Sequence, residues 1–96
     1  MTIEEFKASI KESEPPSELS MLLKALWYDG KGNWDKAHEL AQDVNNHEGA
    51  WVHAFLHRKE GDVSNASYWY NRANKKIPSQ SLDQEWESIS QALLEK

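Results

Sequence analysis

The chain contains no cysteine. That absence excludes a disulfide framework and a zinc ribbon, the usual staples of small secreted domains. Long apolar runs are also missing, and none approaches the length needed to cross a bilayer. The opening residues Met1-Thr2-Ile3-Glu4-Glu5 lack a basic region leading into an apolar stretch, so they do not read as a secretory signal. These absences predict a cytoplasmic protein with no membrane partner. Positive charge is scarce: the formal net charge is −5, and no basic stripe exists beyond Arg72, Lys75 and Lys76. Phosphate backbones need a concentrated cationic face, so no nucleic-acid partner is expected.

Glycine and proline are few, and they fall at the edges of periodic segments. Ninety-six residues fit one domain. A chain this short buries a modest share of its surface, which makes each large apolar side chain count. Five Trp, three Tyr and two Phe supply that bulk. They are read first as core and interhelix packing and only second as a ligand-stacking surface.

Helical spacing dominates. Thr2 with Glu5 forms a capping-box signature ahead of Ile3, Phe6 and Ile10, and Pro15-Pro16 closes that segment. A second helix is predicted from about Ser17 to Asp29, with Leu19, Leu22, Leu23, Leu26 and Trp27 on one stripe and Met21, Ala25 and Tyr28 opposite. Asn33 caps a third helix bearing Trp34, Ala37, Leu40, Ala41 and Val44. A fourth runs from about His47 to Glu60 and stops at Gly61. The fifth is capped by Asp62, carries Val63, Ala66, Tyr70, Ala73 and Ile77, and closes at Pro78. The last begins near Ser81, with Gln84 as its capping partner and Leu82, Trp86, Ile89 and Leu93 as its stripe. No segment alternates like a strand. The expectation is an all-α fold of about six helices in a single domain over 1–96. Its parts are a covering helix in 1–14, a hairpin over 17–46, a second over 47–78 and a capping helix over 81–95. The first helix is expected to cover the leucine stripe of the second, and the last to pack on the fifth.

The two hairpins share an internal similarity. Gly32-Asn33-Trp34-Asp35-Lys36-Ala37 corresponds to Gly61-Asp62-Val63-Ser64-Asn65-Ala66, with the glycines at 32 and 61. This resembles the tetratricopeptide repeat, whose pattern runs W-x2-L-G-x2-Y, then A-x3-F/Y-x2-A, then P. Ala66, Tyr70, Ala73 and Pro78 match its second half, and Tyr28 and Ala37 match in the first hairpin. Ala41, Val44 and Gly49 stand where an aromatic, an Ala and a Pro are usual. The resemblance covers about 17–78 and implies a protein- or peptide-binding groove lined by the first helix of each hairpin. Trp51, Phe55 and Arg58 would face that groove, an aromatic-plus-guanidinium surface suited to hot spots. The stretch Trp51 to Asp62, with Tyr68-Trp69-Tyr70 after it, is also similar to small uncharacterised bacterial proteins, which implies no activity.

One helix departs from the repeat pattern. Its inward Leu and Tyr positions hold His53 and His57, four residues apart on one face, with Glu60 three residues beyond. His38, on the preceding helix, is a candidate to approach from the side. Three readings stand. The imidazoles are neutral packing groups bonded to neighbouring polar atoms; or they form a ligand- or peptide-recognition site of Trp51, His53, Phe55, His57 and Arg58; or they hold a metal with His53, His57, Glu60 and His38 as ligands. No nucleophile elbow or phosphate-cradling glycine loop is present, so no catalytic residue is assigned. The leading expectation is a non-enzymatic interaction module with no required cofactor. The alternative is a small-ligand or metal-binding protein, enzymatic in one version, centred on His53 and His57. Surface tryptophans leave a homo-oligomer open.

Overall fold

A computed structural model describes residues 1–96 and contains six helices with no strand: α1 (Ile3–Ser9), α2 (Met21–Gly30), α3 (Trp34–Gln42), α4 (His47–Lys59), α5 (Val63–Arg72) and α6 (Leu82–Leu94). Each starts where a short polar side chain accepts a free amide of the first turn: Thr2, Ser20, Asn33, Asn46, Asp62 and Ser81. Thr2–Glu5 and Ser81–Gln84 close full capping boxes, as the sequence predicts.

The boundaries shift in three places. α1 stops at Ser9, whose hydroxyl donates to the Phe6 carbonyl at 2.6 Å. Ser20, not Ser17, caps α2, because the Leu19 amide bonds back to the Pro16 carbonyl at 3.3 Å and closes a turn first. α5 ends at Arg72 and does not reach Pro78: Asn74 takes a left-handed φ of 60°, and the Lys75 amide bonds to the Tyr70 carbonyl at 3.0 Å. Ile77 therefore falls outside the helix and is exposed, as is Val63 at the other end.

α2 packs on α3, α4 on α5, and the two pairs meet through α3 and α4. The placement of α6 corrects the sequence expectation. Its main packing is across α2 and α4, with α1 against it, and it reaches α5 through the Tyr70–Glu85 hydrogen bond. The reason is apolar area. Ile89 and Leu93 join Leu22, Leu23, Leu26, Val52, Phe55 and Leu56 in the main core, whereas α5 offers the buried Ala66 and Tyr70, with Trp69 partly buried beside them, to a separate small cluster with Ala54. The α1 helix covers α6 more than the leucine stripe of α2: Phe6 stacks on Trp86 with centroids 5.5 Å apart. Its tie to α2 is the Trp27 indole, which donates to the Ser9 hydroxyl at 3.2 Å.

A buried carboxylate holds α6 in place. Glu85 is fully buried and accepts from the Tyr70 hydroxyl at 2.6 Å, Arg58 at 2.8 Å and the Trp51 indole at 3.2 Å. Stripping a partner from such a pair costs about 3–5 kcal/mol, since an unpaired charge remains buried. Desolvation and the Glu85 charge together push the Tyr70 phenol well above its usual range, so it stays a donor. The face expected to line a groove is thus an interior seam. Trp51 and Arg58 serve Glu85, and Phe55 is core.

Candidate metal centre

The small residues of α3 set up this site. Ala37 and Ala41 are fully buried in α3, which packs between α2 and α4, and His38 beside Ala37 meets α4 at His53. On α4, His53 and His57 lie one turn apart and are buried at 7% and 8% exposure, because α3 and α5 flank that helix. The three imidazoles meet. His38 Nε2 lies 2.9 Å from His53 Nε2, and one ring nitrogen from each of the three sits within 4.8 Å of the others. Nitrogens bound tetrahedrally to one first-row ion at 2.0–2.1 Å are about 3.3 Å apart, so changes in separation of a few tenths of an ångström to about 1.5 Å would gather them.

Two tryptophans wall the cluster. Trp34 stacks on His38 at 5.0 Å and 12°, and Trp69 stacks on His53 at 4.0 Å and 14°. Trp34 is itself anchored by its indole N–H, which donates to the Leu56 carbonyl at 2.8 Å. His57 Nδ1 lies 2.7 Å from Glu60 Oε1. A carboxylate accepts only, so this nitrogen carries a proton, and it is Nε2 that can offer a lone pair to an ion, the arrangement found behind metal-bound histidines.

Electrostatics keep two of the rings neutral. Burial, followed by the neighbouring His38 and His57, pushes His53 down to about 4. His38 is lowered as well, chiefly by burial and then by His57, against the opposing pull of Glu60 and Asp35. Near neutral pH these rings need lose no proton before ligating. His57, Glu60 and Asp62 form a second close group. Asp62 is already committed there, accepting from the Asn65 amide at 3.3 Å and side chain at 2.8 Å, so that group reads as the α4–α5 turn.

The four metal candidates of the sequence, His53, His57, Glu60 and His38, are brought together, with Glu60 behind His57 and not beside the other rings. Trp51, Phe55 and Arg58 belong to the α6 seam instead. Sequence reasoning missed Trp34 and Trp69 as walls. Trp34 had a readable signal, four residues before His38 on one helical face; Trp69 had none. The largest groove, about 530 Å³, lies away from the histidines between Leu19, Met21, Leu22, Val44, Leu93 and Leu94. No family model, curated protein or solved structure matches the chain.

Proposed function

We propose that the protein binds one transition-metal ion through His38, His53 and His57, with Glu60 orienting His57. The observation that carries this reading is the convergence of three ring nitrogens from two helices within 4.8 Å. An all-imidazole donor set suits Zn²⁺, Cu²⁺ or Ni²⁺ and disfavours Mg²⁺ and Ca²⁺, which prefer oxygen. Neutral rings on His38 and His53 support it, because the one proton shared between their Nε2 atoms need only shift to a ring Nδ1, with no net loss of charge, for both to ligate. The peptide-capture reading draws on the face shared by α2 and α4, and α6 occupies that face.

Calorimetric titration of tag-free protein with Zn²⁺ and with Mg²⁺ tests the proposal. The expected result is one Zn²⁺ per chain and no Mg²⁺ uptake. His38→Ala, at a half-buried position, should abolish uptake while keeping the helical circular dichroism. If the parent takes up no more Zn²⁺ than a His38→Ala/His57→Ala double variant, the cluster is packing and the reading fails.

A further inference from the structure

We infer that the ion at this centre keeps an open coordination position, holds a water there, and hydrolyses small activated esters. The inference rests on the metal-binding reading and extends it to a reaction class.

Three observations converge. First, the donor set stops at three. No carboxylate oxygen belongs to the close group of the three imidazoles, and the two acidic neighbours of His57 are engaged elsewhere, Glu60 on His57 Nδ1 and Asp62 on Asn65. Structural zinc sites are closed by four protein ligands, whereas three ligands plus water is the catalytic pattern. Second, the fold does not need the ion. No buried side-chain nitrogen or oxygen lacks a hydrogen-bond partner, and His38 and His53 bond to each other without a metal. An ion here is therefore free to serve chemistry. Third, the three ligands differ in exposure: His53 and His57 are buried and His38 is not. Trp69 covers His53 and Trp34 covers His38 by stacking, while His38 itself is only half-buried. With His53 and His57 buried and only the half-buried His38 edge partly open, the centre admits a small acyl compound and not a bulky one.

The step balances without a further reagent. The bound water gives a proton to solvent, made easier by the dication. The resulting hydroxide oxygen forms a bond to the acyl carbon, and the carbonyl electron pair moves onto its oxygen beside the ion. Collapse of that intermediate breaks the carbon–oxygen bond to the leaving group, which departs with its electron pair. The carboxylic acid so formed gives its remaining proton to solvent and leaves as carboxylate, and a second water refills the position.

The test pairs two readouts on the full chain. In the first, protein loaded with Zn²⁺ is given 4-nitrophenyl acetate. Nitrophenolate release should exceed that of metal-free protein plus separately measured free Zn²⁺ by at least about tenfold, and His38→Ala should remove the excess. In the second, protein loaded with Co²⁺ is titrated with azide, and its visible absorption bands should shift as azide displaces the water. Cobalt bands that ignore azide, or release no faster than the free ion, overturn the inference and leave metal binding standing. Absence of any cobalt band, with no zinc uptake, overturns the metal reading itself. Should His38→Ala lose its helical signal, His57→Ala supplies the same comparison.

Discussion

At the scale of single residues, the distinctive feature is a pair of imidazoles held neutral between indole rings. This has a signed consequence for stability. His53 titrates near 4 when folded and near its ordinary 6.5 when unfolded. Between those values the unfolded chain binds more protons, so stability is present above pH 6.5 and falls as the pH drops toward 4. His38, also lowered, acts in the same direction. Asp29 opposes them: burial raises its carboxyl despite the Lys59 partner at 2.9 Å, so protonating it relieves a cost, and this enters only as the pH nears the carboxylate range. Metal-free protein should therefore melt at a lower temperature at pH 5 than at pH 7 by circular dichroism. Equal melting temperatures would argue against neutral, stacked rings. The i,i+4 rule made His53 and His57 legible as one face. That two of the rings are neutral follows from burial, which no spacing encodes.

At the scale of elements, caps and boundaries carry most of the local information, and Gly49 is where local rules mislead. Inside a helix, Gly→Ala is ordinarily stabilising by up to about 1 kcal/mol. Here a Cβ on Gly49 would fall 2.0 Å from the Val44 carbonyl oxygen, which is backbone and cannot rotate away. The absent side chain lets the α3–α4 connection fold onto the first turn of α4. Gly49→Ala should destabilise by about 1–3 kcal/mol, read as a lower urea midpoint with unchanged slope. Gly32 and Gly61 differ in kind: both have open space around them, and their positive φ values of 88° and 87° are what an Ala would strain. The six helices and both capping boxes were legible because caps act within three residues. The overrun of α5 to Pro78 was not, since its stop depends on the turn at Asn74.

At the scale of the molecule, the radius of gyration of 12.3 Å agrees with about 12.5 Å for a single domain of this length. Both helix pairs pack on α6 through α2 and α4, and no helix is long and apolar enough to cross a membrane. A site already satisfied by its own hydrogen bonds implies that metal and fold are separable. Chelator-treated protein should keep its helical signal and melt cooperatively. Free Zn²⁺ at a hundredfold over Kd should add about 2.7 kcal/mol, or roughly 10–20 °C in Tm for a domain near this size. Unfolding on chelation would make the ion structural and remove one support for an open position.

The sequence alone determined that the chain is all-helical, that Thr2, Asn33, Asp62 and Ser81 cap helices, and that His53 and His57 share a face with Glu60. Those features arise from hydrogen bonds and side-chain neighbours within one turn, which spacing records. The tertiary structure decided that α6 crosses α2 and α4, that Arg58 and Trp51 turn to Glu85, and that His38 closes the triad between Trp34 and Trp69. An apolar stripe settles on whichever surface buries the most area. That competition runs among several helices at once, and no single segment contains its outcome.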